Sequence, residues 1–374
     1  MTLARELADT AGRPQVDKNL LINGGMNIWQ RSTSTSVSTD GIYSTADRFL
    51  TRVRGGAVYT ISRSTDTPSG QGFGYSLKFD NTTADASPAT NDFTVLEQRM
   101  EGQNLQHLLK GTSSAKALTL SFWIKSNVTG TFIARLNDLD NTRSISQAYT
   151  IDTASTWEKK IITFDADQTG TLDNDNNGSL WLQLWFSAGP DFTSTPLEST
   201  WGSTDTTRIA AGISNLSSST SNELYITGIQ LEVGEAATDF QFEPFATTLR
   251  KCHRYYRKWS RISTDSEYVQ STYIGTFAQY YSTTEAIVHI VAPFTLFRDT
   301  PDISKSGSAD FMLYDTANVG KTSTNLAVYS DGGGVLNLHS PVLIFYTTGA
   351  TVGRVGRIFN KTAGTSWFAL DAEL

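Results

Sequence analysis

Trp181, Gln183 and Trp185 alternate with Leu180, Leu182, Leu184 and Phe186, so the first three share the face opposite the apolar set. On a solvent-facing strand, indole rings can stack on sugar rings while an amide reads hydroxyls, which is the chemistry of a carbohydrate platform. The same side chains would also suit an interface between sheets or subunits, where aromatic residues are enriched, and that reading carries the greater weight.

Other chemistry is sparse. Glu97, Glu101, Asp165 and Asp167 are available for the paired-carboxylate work of glycoside hydrolysis, but no spacing sets two of them face to face. A surface or ion-paired role is the better account of Glu97 and Glu101, and Asp165 and Asp167 read as loop residues. Asp173-Asn-Asp-Asn-Asn-Gly178 opens like a calcium loop, yet its twelfth position is Leu184 where a bidentate glutamate is required, so a turn is favoured over a cation. His107, His253, His289 and His339 lack metal-ligand spacing and lie in no nucleophile motif. Cys252 is the only cysteine, which excludes an intrachain disulfide and a cysteine-based zinc site. The expectation is no catalytic residue, no metal and no cofactor.

The chain has 374 residues, 39% hydrophobic and 18% charged, which is a globular composition large enough for two domains. A net charge of -7 argues against nucleic acid and anionic membrane as partners, since both call for a basic surface. No apolar run approaches the roughly 18 residues that a membrane span needs, and charges interrupt residues 1–18 where a signal peptide would be apolar.

The elements that must carry these residues are strands. Residues 1–18 hold a short helical pattern, too short to fold alone, and read as a docking peptide. From residue 19 to 247 strand patterns alternate with Ser, Thr, Asn, Asp and Gly clusters. Within 117–125, Leu118, Leu120, Phe122 and Ile124 share one face, with Trp123 as the exception on the polar one. Within 223–233 the apolar phase changes at Gly228, which marks a bulge. Many short strands with almost no helix predict an all-β fold: an antiparallel β-sandwich, or jelly roll, over 19–247 and a second, smaller β domain over 260–374.

Between them, residues 248–259 switch to helical spacing, with Leu249, Cys252, Tyr256 and Trp259 at intervals of three, four and three. That stripe is either an amphipathic connector or a heptad-like seam around an oligomer axis. Beyond it, strands are expected at 285–292, 309–314, 335–339, 342–346 and 366–374, with a hairpin turn at Asp331-Gly-Gly-Gly334. The first of these is apolar on both parities and reads as covered on both faces.

Several segments carry a family resemblance in order along the chain. They are Asn19-Leu-Leu-Ile-Asn-Gly-Gly-Met-Asn-Ile-Trp-Gln-Arg31, Ala46-Asp-Arg-Phe49, Leu96-Glu-Gln-Arg-Met-Glu-Gly102, Leu118-Thr-Leu-Ser-Phe-Trp-Ile-Lys125 and Ile226-Thr-Gly-Ile-Gln-Leu-Glu-Val-Gly234. The strand around Trp157 leading to Gly170-Thr-Leu172, and the block from Ala237 through Cys252-His-Arg-Tyr-Tyr256, extend it to about residues 19–259. The chain resembles phage and prophage tail-fibre or virion structural proteins with a carbohydrate-binding-module-like jelly roll. The final Asp371-Ala-Glu-Leu374 is also similar to how many of these proteins end. The resemblance implies a virion protein assembled in the host cytoplasm and often trimeric. It would be joined to other virion proteins through residues 1–18 and possess a surface for a host glycan. It carries over no catalytic residue. The leading expectation is a homotrimeric tail fibre or adhesin, with a capsid decoration or head-fibre protein and a polysaccharide depolymerase as alternatives.

Overall fold

Alternation of apolar and polar residues becomes a succession of strands in the computed structural model. It describes residues 18–260 throughout and, further on, 277–280, 285–289, 298, 302–305, 311–315, 320–322, 325–328, 342–346, 355–360 and 367–374. The expected helix in 1–18, the strand at 335–339 and the turn at 331–334 lie outside these. The chain divides into two units, Met1–Phe245 and Ala246–Leu374.

In the first unit the strands are β1 (Ser34–Val37), β2 (Leu50–Arg54), β3 (Val58–Ser64), β4 (Ser76–Thr83), β5 (Phe93–Glu101) and β6 (Leu118–Ser126). They continue with β7 (Gly130–Asp138), β8 (Arg143–Ile151), β9 (Glu158–Phe164), β10 (Gly178–Ala188), β11 (Gly202–Ser203) and β12 (Glu223–Val233). Two six-stranded antiparallel sheets result, ordered β1-β3-β4-β12-β6-β9 and β11-β8-β7-β10-β5-β2. The expected β-sandwich is observed.

Its core is made by the two strands whose alternation is clearest. Leu120, Phe122 and Ile124 of β6 and Leu180, Leu182, Leu184 and Phe186 of β10 are buried in one cluster that draws on both sheets. Phe79 of β4 meets Phe186 edge-on at 5.2 Å, and Phe122 meets Tyr149 of β8 at the same separation. Each such side chain contributes about 1.5–3 kcal/mol on burial.

The bulge expected at Gly228 is present, with the β12–β6 register slipping between Thr227 and Gln230 and Gly228 at φ +64°. It lets Leu224 and Ile226 before it, and Ile229 and Leu231 after it, all enter the core despite their opposite parity. Val233, of the same sequence parity as Ile229 and Leu231, is exposed instead.

Residues 19–31 form no strand; they plug this bulge. Asn19 donates from Nδ2 to the Ile229 carbonyl at 3.0 Å and accepts from the Leu231 N–H through Oδ1 at 3.0 Å. The Gly24 carbonyl accepts from the Ile229 N–H at 3.0 Å. Asn23, at φ +64°, donates to the Ile28 and Asp47 carbonyls and accepts from the Asn27 and Ile28 N–H groups. Two segments that carry the family resemblance thus hydrogen-bond to each other, and their role here is to satisfy backbone groups that the bulge leaves unpaired.

Helix α1 (Phe245–Cys252) starts on the last residue of the first unit, and β13 (Tyr256–Ser260) follows in the second. β13 pairs with β22 (Trp367–Asp371), which in turn pairs with β16 (Asp302–Lys305), giving a three-stranded antiparallel sheet. A seven-stranded sheet contains β15 (Glu285–His289) as an interior strand between β14 (Phe277–Tyr280) and β20 (Val342–Tyr346). This is the expected second β domain.

One expectation is corrected. The helix stops at Cys252, not at 259, so Leu249, Cys252, Tyr256 and Trp259 do not form a single helical stripe. Tyr256 and Trp259 lie on β13 at positions of opposite parity. The Tyr-Arg-Lys-Trp-Ser run has the aromatic content that favours a strand, and β22 completes its ladder, which overrides the helical spacing.

Candidate functional site

The outer face of the second sheet is where polar and aromatic side chains collect. On β10, Trp181, Gln183 and Trp185 stand between β5 and β7, Gln183 opposite Glu97 on one side and Arg135 on the other. The leucines of β10 fill the core, so alternation sends these three outward.

A chain of hydrogen bonds crosses this face. Arg135 donates from Nη1 to Gln183 Oε1 at 2.8 Å, and Gln183 donates from Nε2 to Glu97 Oε2 at 2.6 Å. Arg99 donates from Nε to the other oxygen of Glu97 at 2.6 Å, and Arg52 of β2 reaches Glu97 at 3.4 Å. Arg135 also donates from Nη2 to Asn137 Oδ1 at 2.8 Å. The Gln183 amide is therefore committed at both ends to buried partners.

Trp185 lies beside an aromatic group, 5.6 Å from Phe93 and 5.2 Å from Phe192, ring centre to ring centre. Phe192 comes from the segment between β10 and β12, which folds back over the sheet. Gly189 makes that turn where a Cβ would fall 1.9 Å from the Ala89 carbonyl oxygen, and the Ala210 N–H then donates to the Phe192 carbonyl at 2.8 Å. Asp205 caps the short turn Thr206–Arg208 by accepting from the Thr207 N–H.

Between this segment and the sheet lies a cleft of about 330 Å³. Trp181, Gln183, Trp185, Phe93, Arg52, Arg54 and Arg135 line its sheet side, and Phe192, Thr204, Thr206 and Ile209 the loop side. Arg52 and Arg54 are held by Asp40, at 2.6 and 3.3 Å, and both lie about 5 Å over the Phe93 ring. Burial draws the Arg52 guanidinium down, but its bonds to Asp40 and Glu97 outweigh this and leave it above its ordinary value. Arg135 differs: burial pushes it down to about 10, and among the described residues it has no carboxylate at ion-pair distance. It remains protonated at neutral pH.

All three tryptophan and glutamine positions read from the sequence thus line one cleft. The arginines around them were not anticipated. Their signal was present as Arg135 in Phe132-Ile-Ala-Arg-Leu-Asn137, a charged residue on the parity of Ile133 within an otherwise apolar strand.

The candidate acids do not form a pair. Glu97 is bound by two arginines, and Glu101 accepts from Gln103 Nε2 at 2.5 Å. Asp165 is exposed in the loop after β9, whereas Asp167 is buried against Lys110 at 2.8 Å and Arg143 at 2.8 Å. The segment from Asp173 to Gly178 is a turn in which Asp175 accepts from the Asn177 N–H. Among the described residues, no three His, Cys, Asp or Glu side chains converge as a metal site.

No family model matches the sequence, and no curated protein matches it. Among solved structures, the chain is similar over 58% of its length to the enzymatically active domain of tailspike protein 4 of bacteriophage CBA120, at 13% identity and a TM-score of 0.30. It spans 21% of that tailspike chain. It is similar over 58% of its length, and 99% of the other chain, to the module TmCBM61 solved with β-1,4-galactotriose, at 14% identity and a TM-score of 0.28. A family 11 carbohydrate-binding module from Clostridium thermocellum, solved with a mixed-linked tetrasaccharide, matches over 54% of this chain and 96% of its own. Its identity is 12% and its TM-score 0.27.

Proposed function

We propose that this protein is a non-enzymatic glycan-contacting component of a tailed-phage virion, a trimeric fibre or adhesin subunit whose cleft on the second sheet meets a sugar of the host surface. The observation that carries the glycan half is the cleft itself, lined by two tryptophans and a phenyl ring beside fixed polar groups on a rigid sheet. Sugar recognition calls for that pairing of apolar faces with fixed hydrogen-bonding groups. The virion half and the trimer rest on the family resemblance of residues 19–259.

The absence of catalysis is part of the proposal. Glu97 and Asp167, the best-placed acids, are each bound by two cations, and those on Asp167 hold its carboxyl below the ordinary range, which suits neither to the proton donor's part in glycoside hydrolysis.

Binding of the purified chain to an array of bacterial surface glycans tests the first half, and an array without a single specific signal would sink it. Light scattering on the eluting protein tests the trimer, and a monomer alone would overturn it. Antibody labelling of intact particles tests the tail position, which label on the head would replace with a decoration or head-fibre role. New reducing ends released from host capsule would overturn the non-enzymatic part.

A further inference from the structure

We infer that the cleft on the second sheet selects acidic saccharides, sugars that carry an oxyanion, over neutral ones; this rests on the glycan-binding reading above. The first argument is charge. Arg52, Arg54 and Arg135 line the cleft, and Arg99 lies against its Trp181 wall. Among the described residues, Asp40 pairs with Arg52 and Arg54 and Glu97 with Arg52 and Arg99, while Arg135 has no carboxylate at ion-pair distance. Asp138, the carboxylate among the lining residues, is neutralised by Lys110. A locally positive cleft on a protein of net charge -7 is a departure that needs a cause.

The second argument is the hydrogen-bond inventory. Arg135 Nε, Trp181 Nε1, Trp185 Nε1 and Thr204 Oγ1 are buried, belong to side chains that line the cleft, and have no hydrogen-bond partner among the described residues. Three of the four are donors and nothing else, and the Thr204 hydroxyl can donate as well, so a ligand rich in acceptors suits them all. A neutral sugar brings hydroxyls that must also donate, whereas a carboxylate or sulfate brings acceptors alone. A buried donor left unpaired forfeits its hydrogen bond to water, so the arrangement favours a partner that supplies acceptors.

Entry is also defined. The buried donors are covered by their neighbours, while Arg54 is 46% and Arg52 24% exposed at the side chain. First contact therefore falls to these two arginines. Arg135, charged and without an ion-pair partner among the described residues, supplies the field behind them.

The test uses the full chain on an array holding neutral, uronate-containing and sulfated oligosaccharides, followed by calorimetric titration of the best-bound acidic member and its neutral counterpart. For a uronate that counterpart is the methyl ester, which keeps every ring and removes the charge; for a sulfated sugar it is the desulfated one. The acidic form is expected to bind about tenfold more tightly, with the advantage shrinking as salt is raised. Arg54→Gln, a substitution at an exposed position, is expected to lower affinity for the acid about fivefold and to narrow the ratio of acidic to neutral binding. Which acidic members bind separates carboxylate from sulfate. Equal binding of the neutral form, or an array bound through neutral sugars alone, overturns acidic selectivity and leaves the glycan reading intact. An array that binds nothing overturns both.

Discussion

The guanidinium of Arg99 lies 3.9 Å from the centre of the Trp181 ring while its Nε donates to Glu97 at 2.6 Å. One face of this indole is thereby occupied by a cation fixed from behind, an arrangement worth about 0.5–2 kcal/mol. Trp181 is held as a rigid wall, and the cleft keeps a constant shape without the ligand having to order it.

The two tryptophans consequently differ in what their removal would do. Trp181→Ala, at a half-buried position, should lower glycan affinity about tenfold with a small change in the denaturation midpoint. Trp185→Ala, 4% exposed among Phe93, Phe192, Ile133 and Ile209, should lose about 3–5 kcal/mol of stability. Urea denaturation and titration on both variants check this, and equal stability loss in the two would contradict it.

Gly24 is the position where the bulge tolerates no side chain. A Cβ there would fall 1.9 Å from the Ile229 carbonyl oxygen, which is backbone and has no rotamer to change. Gly24→Ala should break the bond from the Ile229 N–H to the Gly24 carbonyl and cost about 2–3 kcal/mol, read from urea denaturation at neutral pH. A variant as stable as the parent would show that residues 19–31 do not brace β12.

The sandwich was legible because β6 and β10 keep an apolar period of two along their length and β12 keeps one on either side of Gly228, which announced its change of phase. Trp181, Gln183 and Trp185 could be assigned to one outward face for the same reason. What covers that face was not legible. Phe192, Thr204 and Ile209 arrive from a segment with no periodic pattern, and its course is set by contacts such as Gly189 against Ala89 that are distant in sequence. The helix end was misread at Cys252 because Tyr256 and Trp259 happen to continue a helical spacing, while the partner that makes them a strand, β22, lies more than a hundred residues on. Spacing records local preference, and the winning interaction was not local.

Lys110 joins two buried carboxylates, Asp138 and Asp167, and donates to the carbonyls of Thr169 and Gly170. Asp167 has a second cation in Arg143, but Asp138 has no other cation partner among the described residues. Burial raises the Asp167 carboxyl, and the bonds from Arg143 and Lys110 outweigh it and hold it below its ordinary value of 3.8. Lys110→Met should cost about 3–5 kcal/mol at neutral pH by leaving Asp138 charged and unpaired. The deficit should shrink in acid, as Asp167, which Lys110 helps to hold below 3.8, takes up its proton. A pH-independent loss would assign Lys110 a packing role alone.

His253 follows α1 within the second unit, its N–H donating to the Leu249 carbonyl at 2.9 Å and its own carbonyl accepting from Arg257 Nε at 3.0 Å. Burial first, and the charge of Arg257 second, push its imidazole down to about 4 from 6.5. A group whose folded value lies below its unfolded one takes up its proton more readily in the unfolded chain. The stability due to the neutral imidazole is therefore complete above about pH 6.5 and is lost as pH falls toward about 4. Urea denaturation midpoints of the second unit, followed between those limits, should decline in the parent protein and stay nearly level in His253→Gln. That window lies mostly above the range in which the lowered carboxyls titrate, so a parallel decline in both proteins would show that His253 does not carry the effect.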